Sequence, residues 1–356
     1  MMYPTAASRT RRWRLAYPTC SDRAGVHSVY KRDNLAAGSK AHGGSDVNRL
    51  SLVLILGIGL SACSPPPQNQ PASTEAAPNT PSSTPARFTA GWTVSEGVSA
   101  PESAYVDSAS GSIFVSIIGG QPNERDGNGR IMKLAPDGTV VSASWVSGLN
   151  APKGLRSLGG TLWTADIDEV VGIEIASGEV AARIKIAGAQ FLNDVAIGDD
   201  GTVYVSDMLA SKIYAVKAGQ ASVFAEGDSL EYPNGLLVEG NRLIVGGWGK
   251  PEADFSTKVP GRLFALDLKT KAKTLITPQP LANIDGLEAD GRGGYLITDW
   301  VKGQLLQVTS AGESRLLRQF MPGTADIAFV TTGNVAIIPH LSENKVAAYD
   351  ISDVLK

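Results

Sequence analysis

The sequence predicts an all-β fold: a six-bladed β-propeller in which an N-terminal strand closes the last blade. The main observation is a pattern that occurs six times between Glu102 and His340: a polar or acidic residue, a hydrophobic strand, a glycine turn and a second strand. Successive copies begin 40 to 51 residues apart, and a strand repeat of this length is typical of propeller blades. The clearest copies open with Asn193-Asp194-Val195, Asn234-Gly235-Leu236 and Asp285-Gly286-Leu287.

Each copy is expected to contain four strands. In the first copy these are residues 104–106, 113–117, 130–134 and 139–142. The third strand of the repeat alternates with a period of two, which suits a strand half-buried between neighbouring blades. The last copy has room for three strands, at residues 327–329, 335–338 and 345–349. Residues 88–94 are therefore expected to supply the fourth strand and to cover the open sheet edge.

One folded domain is expected over residues 88–356, preceded by segments that do not fold. Residues 50–60 form an apolar run of 11 residues behind Arg49, which is too short to span a bilayer and matches the hydrophobic region of a secretion signal. Leu60-Ser61-Ala62-Cys63 resembles the bacterial lipobox, which implies a lipoprotein signal over residues 47–62 and a lipid on Cys63. The alternative is a cleaved signal peptide followed by an incidental cysteine.

The segments on either side of this signal are predicted from their position and composition. Residues 1–46 are expected to be a non-native extension, because a signal peptide begins close to its apolar run and Val47 is a candidate start. Residues 63–87 are rich in Pro, Ser, Thr and Ala and are expected to form a disordered tether. Ser64 after the lipidated cysteine resembles the signal for the outer membrane. We therefore expect a bacterial cell-envelope protein that faces the periplasm and contacts the membrane through its lipid alone.

Composition excludes several classes of function. When the nine Lys/Arg and three Asp/Glu of residues 1–49 are removed from the totals of 32 and 35, the remaining chain has a net charge of −9. This charge argues against nucleic acid as a partner. Cys20 and Cys63 both precede the predicted propeller, in which His340 is the one histidine. A metal site of His and Cys ligands is therefore not expected.

The residues that open the innermost strand of each blade are the main candidate site. They are expected to surround one mouth of the central tunnel, and they are Glu102, Lys153, Asn193, Asn234 and Asp285. The sixth is Ala325 or Asp326; glycine spacing favours Ala325, and Asp326 then matches Asp194. Convergent carboxylate and amide oxygens favour a hard divalent cation, Ca²⁺ in preference to Mg²⁺. The alternative is that Asn-Gly and Asp-Gly are turn formers between strands.

Four short motifs carry a family resemblance. They are Pro101-Glu102-Ser103-Ala104-Tyr105-Val106, Phe191-Leu192-Asn193-Asp194, Pro233-Asn234-Gly235-Leu236 and Ile284-Asp285-Gly286-Leu287. In order and spacing they resemble the motifs of the senescence marker protein, gluconolactonase and luciferin-regenerating-enzyme-like group of six-bladed propellers. The resemblance implies that Glu102, Asn234 and Asp285 hold a divalent cation, with Asn193 a further ligand or a substrate contact and Asp285 also the general base. Ala104, Val106 and Leu192 depart from the family pattern.

Each of the remaining candidate residues has a functional and a structural interpretation. Lys153 is expected either to meet an anionic substrate group or to form an ion pair with a carboxylate such as Asp194. Asp194 and Asp326 are candidate substrate contacts, as is His340, whose alternative is a rim residue with its bonds satisfied. Two long loops, residues 118–129 with Arg125 and residues 247–259 with Trp248, are expected to cover the site and select substrates, or to be tolerated surface insertions.

These expectations lead to two hypotheses. The first is a monomeric, metal-dependent hydrolase that acts on a small-molecule lactone or ester at the tunnel mouth. The alternative is a propeller without catalysis that binds a ligand or a protein there, since the fold by itself does not decide function. Metal content is the observation that separates them.

Overall fold

The computed structural model describes residues 87–355. The proposed extension, the signal peptide with Cys63 and nearly all of the tether lie outside the described residues. Within residues 87–355, no helix is long and apolar enough to cross a membrane.

The described chain is built from 24 β-strands and two short 3-10 helices. In chain order the strands are β1 (Thr93–Val94), β2 (Pro101–Asp107), β3 (Ser112–Ile117), β4 (Gly129–Leu134), β5 (Val140–Leu149), β6 (Pro152–Leu158), β7 (Thr161–Asp166), β8 (Glu169–Glu174), β9 (Val180–Lys185), β10 (Leu192–Ile197), β11 (Val203–Asp207), β12 (Lys212–Lys217), β13 (Gln220–Glu226), β14 (Pro233–Glu239), β15 (Arg242–Gly247), β16 (Leu263–Asp267), β17 (Lys273–Leu275), β18 (Ile284–Ala289), β19 (Tyr295–Asp299), β20 (Gln304–Val308), β21 (Ser314–Gln319), β22 (Ala328–Val330), β23 (Val335–His340) and β24 (Lys345–Asp350). The helices are Asp228–Leu230 and Leu341–Glu343.

The strands form six antiparallel sheets of four, which confirms the predicted six-bladed propeller. Five blades follow chain order, from β2–β5 to β18–β21. Their innermost strands contact one another in turn from β2 to β22, and β22 contacts β2 again, so the ring is closed. Closure leaves the inner edge of each blade facing the tunnel, where the opening residues of the six repeats meet.

The sixth blade combines the two ends of the propeller, as predicted. Its order is β22, β23, β24 and then β1, with Thr93 opposite Ala347 and Val94 opposite Val346. Phe88 and Val94 are buried in one cluster with Val346 and Ala348. The closing strand is therefore fixed both by its backbone hydrogen bonds and by burial of apolar side chains.

Apolar side chains fill the interfaces between adjacent blades. Phe114 and Ile131 of the first blade, for example, pack in one cluster with Leu155 and Leu162 of the second. All four are fully buried, and burial of a side chain of this size contributes roughly 1.5–3 kcal/mol. The ring therefore rests on apolar packing between blades, which leaves its axis available for polar groups.

Candidate functional site

Each of the first five inner strands contains a β-bulge at the position of the predicted site residue. In β2 the pairing with β3 shifts register between Pro101 and Ala104, and β6, β10, β14 and β18 show the same shift. A bulge leaves residues unpaired and redirects their side chains. The residues inside the bulges are Glu102-Ser103, Lys153-Gly154, Asn193-Asp194, Asn234-Gly235 and Asp285-Gly286.

The glycines of these bulges allow neighbouring blades to approach closely. A Cβ on Gly235 would lie 2.4 Å from the backbone oxygen of Asp285, and one on Gly286 would lie 2.6 Å from the backbone nitrogen of Ile327. Both glycines lie inside strands, not between them. The interpretation of Asn-Gly and Asp-Gly as turn formers is therefore wrong, and the real constraint is the spacing between inner strands.

The first residue of each of the five bulges lines one small cavity between the inner strands, which we call the axial cavity. Its volume is about 50 Å³, enough for a few water molecules. The polar lining consists of Glu102, Lys153, Asn193, Asn234 and Asp285. The apolar lining consists of Ile118, Pro122, Phe191, Met208, Trp248, Phe255, Trp300 and Leu341. All four residues predicted to hold a cation, together with Lys153, thus line a single space.

Hydrogen bonding leaves oxygen atoms in this cavity without partners. Asn234 donates from Nδ2 to Oδ1 of Asp285 at 3.0 Å, which turns Oδ1 of Asn234 away from that bond. Among the described residues, neither Oδ1 of Asn234 nor Oε2 of Glu102 has a hydrogen-bond partner, although both are buried. A buried oxygen without a partner costs about 1–3 kcal/mol, so a group that bound both oxygens would remove this cost.

Burial is the main cause of the pKa shifts of the two carboxyl groups in the axial cavity, Glu102 and Asp285. It raises the pKa of Glu102 well above the ordinary value, and the nearby Asp285 raises that pKa further. The pKa of Asp285 is also raised well above its ordinary value, by burial first and by Asp326 second. A bound cation would favour the ionised form of both groups and so reverse these shifts.

Lys153 is the one cation that lines the axial cavity within the described chain. Its ammonium group donates to the backbone oxygens of Pro122 and Ala151, at 3.0 Å each, and lies 4.8 Å from the centre of the Phe191 ring. Burial lowers the pKa of Lys153, and the carboxyl group of Glu102 opposes that change. Lys153 therefore ties down the first long loop at Pro122, a role that the sequence did not predict.

A second polar layer lies behind the axial cavity and contains Asp194 and Asp326. Asp194 accepts from the backbone N–H groups of Val195 and Leu236, both at 2.7 Å, and so joins two blades. Asp326 accepts from the hydroxyl of Ser103 at 2.5 Å and from its neighbour Ile327. Each of the two aspartates accepts a bond from the backbone N–H of the next residue. Asp326 therefore occupies the position equivalent to Asp194, as the alignment with Ala325 in the sixth position predicts. The structure places both in bonds between blades, outside the lining of the axial cavity.

Arg156 and Glu288 complete this layer and were missed at the sequence level. Arg156 is 8% exposed and forms an ion pair with Glu288 at 3.1 Å. Burial raises the pKa of Glu288 to about 7 even though Arg156 opposes the shift. Each residue stands three positions after a bulge residue of the same strand, Lys153 or Asp285. A second charge at that spacing was the available signal.

The other predicted residues have different positions. Trp248 lines the axial cavity, whereas Arg125 lies outside it and forms an ion pair with Asp168 at 2.6 Å. His340 lines neither this cavity nor the larger one beyond it. Its Nε2 lies 2.8 Å from the hydroxyl of Tyr349.

The donor set of the axial cavity fits a hard cation better than a soft one. Among the described residues no group of three or more His, Cys, Asp or Glu side chains could hold a metal ion. Two carboxyl groups and two amide groups instead line the cavity, and neutral amide oxygens are ordinary ligands of Ca²⁺. The unpartnered oxygens of Glu102 and Asn234 agree with this set.

Comparison with known proteins shows the fold. No family model and no curated protein matches the sequence. A gluconolactonase from Xanthomonas campestris has a TM-score of 0.53 at 15% identity, covering 70% of this chain and 86% of that one. Catalytically inactive virginiamycin B lyase from Staphylococcus aureus with quinupristin has a TM-score of 0.50 at 13% identity, covering 72% and 97%. A chain of a nidogen/laminin complex also scores 0.50, at 13% identity with 71% and 89% covered. Since two enzymes and a nidogen/laminin complex share this architecture, the similarity concerns the propeller and not a single activity.

Proposed function

We propose that this chain is a divalent-metal-dependent hydrolase of lactones or related esters, similar in kind to the gluconolactonases. The observation that carries the proposal is the meeting of Glu102, Asn193, Asn234 and Asp285 at one axial cavity, with buried oxygens of Glu102 and Asn234 that have no partner among the described residues. The four would hold the cation, with Ca²⁺ the best match to their oxygens.

The chain's own residues would perform the proton transfer. A cation bound there would polarise the carbonyl of the substrate. Asp285 is held at Oδ1 by Asn234, so Oδ2 is available to take a proton from the attacking water. The water oxygen forms the new bond to the carbonyl carbon, the ring C–O bond breaks, and the leaving oxygen takes up a proton. Phe191, Trp248 and Trp300 line the cavity and limit the entry of bulk water.

A non-catalytic ligand-binding propeller is the second candidate, and Lys153 is the observation that favours it. Its ammonium group interacts electrostatically with Glu102 inside the cavity, so part of the negative charge is balanced without a metal. A site whose charge is balanced in this way suits the binding of a neutral or anionic small molecule.

We also propose, from the lipobox-like Leu60-Ser61-Ala62-Cys63, that the protein is a monomeric lipoprotein of the bacterial outer membrane. The propeller would face the periplasm at the end of the tether, and its partner would be a small molecule. Globomycin-sensitive processing of the expressed full chain, together with mass spectrometry of a lipid on Cys63, tests this. An unmodified Cys63 would contradict the anchor.

Metal analysis combined with turnover tests the main proposal. Purified protein should contain about one equivalent of a divalent cation and should hydrolyse aldonolactones or aryl esters in a reaction that chelator abolishes. Asp285→Asn should reduce turnover by about 10³-fold or more, in line with the removal of a catalytic base. Asp199→Asn changes an exposed carboxylate outside the cavity and should behave as the wild type. Protein without a cation and without chelator-sensitive hydrolysis would leave the ligand-binding alternative.

A further inference from the structure

A second, larger cavity opens directly outside the axial cavity, and we call it the vestibule. Its volume is about 1150 Å³, slightly above the roughly 300–1,000 Å³ of ordinary ligand pockets. The residues that line it include Pro122, Ile167, Leu209, Tyr232 and Phe255. Pro122 and Phe255 line both cavities, so these two residues form the boundary between them.

The two cavities differ so much in size that a substrate must occupy both of them. The axial cavity, at about 50 Å³, has room for a reacting group and a few waters but not for a whole organic molecule. Any substrate that reaches Asp285 must therefore leave most of its body in the vestibule. The chemistry of the vestibule wall then decides which substrates bind.

Backbone strain is concentrated in the vestibule wall. Ten non-glycine residues of the described chain have positive φ. Only three of these have β-branched or aromatic side chains: Ile167 (φ 60°), Tyr232 (φ 58°) and Phe255 (φ 64°). All three line the vestibule. Such residues are disfavoured in this conformation, and outliers of this kind cluster at binding sites.

Buried polar groups hold these strained loops in place. Trp248 donates from its indole nitrogen to the backbone oxygen of Phe255 at 3.0 Å. Asn283, which is buried, donates to the backbone oxygen of Trp248 at 2.8 Å and to the hydroxyl of Thr257 at 2.9 Å. The first loop is held in turn by the bond from Lys153 to Pro122. The boundary between the two cavities is therefore fixed from both sides.

The vestibule wall has one apolar side, supplied by Ile167, Leu209, Tyr232 and Phe255. Two of its charged residues are paired, Arg125 with Asp168 and Glu252 with Lys258. The other two, Glu124 and Lys250, are exposed and form no ion pair among the described residues. The wall thus combines an apolar surface with exposed charged groups.

The geometry points to a hydrophobic substrate class: a lactone or ester with an apolar chain or ring. The apolar part lies in the vestibule against Tyr232 and Phe255, and the carbonyl enters the axial cavity. This inference rests on the proposed hydrolase for the carbonyl only, because binding in the vestibule does not depend on turnover. A small unsubstituted sugar lactone would leave most of the vestibule to water.

Binding of γ-lactams with methyl, butyl and heptyl side chains tests the inference apart from catalysis. These amides imitate lactones, resist hydrolysis and can be titrated into the full-length protein by calorimetry. Affinity should rise by up to about fourfold for each added CH₂ until the vestibule is full. Affinity that is absent or independent of chain length would overturn the inference, even if the protein hydrolyses small lactones. A rise with chain length in a protein without any hydrolase activity would sustain it and remove the proposed function alone.

Phe255→Gly separates a binding role from a packing role. Glycine adopts φ near +64° without strain, so the variant should keep its Tm within about 3 °C of the wild type while losing most of the chain-length dependence. Val259→Ala changes an exposed residue of the same loop that lines neither cavity and should alter neither property. A Phe255→Gly protein with a much lower Tm and an unchanged dependence on chain length would show that the ring only packs the loop.

Discussion

The axial cavity and the vestibule adjoin one another, yet the chain builds them in different ways. The axial cavity is formed by bulges in successive inner strands, and buried charges face one another across it. The vestibule is formed mainly by two non-repeating loops and the turns near them, with strain in its backbone and few buried charges. Charge balance therefore limits change at the axis, whereas loop conformation limits change in the vestibule.

This difference predicts where substitutions are tolerated. A polar group removed from the axis leaves its partners buried without compensation, at a cost of several kcal/mol. Replacement of a strained residue in the vestibule by glycine relieves backbone strain, which offsets part of the lost packing. Stability should thus be sensitive at the axis and insensitive in the vestibule, while substrate preference shows the opposite trend.

The largest effect on stability is expected from Arg156→Met. The substitution leaves Glu288, Asp194 and Asp326 buried without the guanidinium group that faces them. We expect a loss of about 3–5 kcal/mol of unfolding free energy at pH 7. Burial raises the folded pKa of Glu288 to about 7. The fold is therefore most stable below the unfolded pKa of Glu288, where this group is protonated in both states, and it loses stability as the pH rises towards 7. The loss should be larger at pH 8 than at pH 5, as measured by urea unfolding.

Arg242→Met is the matched control for this variant. Arg242 pairs with Glu239 on the surface, and the two side chains are 45% and 42% exposed. Removal of an exposed ion pair costs less than about 1 kcal/mol. Equal losses in the two variants, or a loss in Arg156→Met that does not change with pH, would contradict the role of charge balance at the axis.

His340, which lines neither cavity, is expected to make the stability of the fold depend on pH. Burial first, and Lys345 second, lower the pKa of His340 to about 4, while Glu343 opposes the shift. The unfolded chain takes up a proton near pH 6.5 but the folded chain does not, so stability falls as the pH drops from about 6.5 towards 4. The maximum loss is about 3 kcal/mol.

His340→Gln should remove this part of the acid sensitivity. Urea unfolding of the wild type and the variant at pH 7 and pH 4.5 gives the difference directly. Hydrolysis of the same lactone at pH 7 should be unchanged, because the ring contacts Phe320 and Tyr349 and lies outside the lining of both cavities. A variant with normal acid sensitivity but reduced turnover would restore His340 as a substrate contact.

Gly235→Ala tests the close approach of the inner strands. The new Cβ would lie 2.4 Å from the backbone oxygen of Asp285, so two adjacent blades must separate, at a cost of about 2 kcal/mol. Gly240 has φ of +56° and open space around a Cβ, and Gly240→Ala should cost about 1 kcal/mol from backbone strain alone. Thermal unfolding compares the two; a less stable Gly240→Ala would contradict the tight spacing at the axis.

The same division explains what the sequence could predict. Glu102, Asn193, Asn234 and Asp285 occur once per repeat, and a repeat that closes into a ring brings equivalent positions to one axis. Lys153 was found by the same reasoning, but its bond to Pro122 was not, since a contact with a loop of irregular length leaves no period in the sequence. The meeting of Tyr232 and Phe255 in one wall was not predictable for the same reason, as their positive φ values depend on tertiary contacts.

The smallest effect on stability is expected in the vestibule, from Tyr232→Gly. Tyr232 is half-buried with φ of 58°, and glycine at this position relieves strain while it loses some apolar contact and gains chain entropy in the unfolded state. These terms nearly cancel, so the unfolding free energy should stay within about 1 kcal/mol of the wild type. Affinity for the long-chain lactam should nevertheless fall, as in Phe255→Gly. A loss of stability as large as that of Arg156→Met would remove the distinction between the two cavities, because it would show that the vestibule wall supports the fold as much as the axis does.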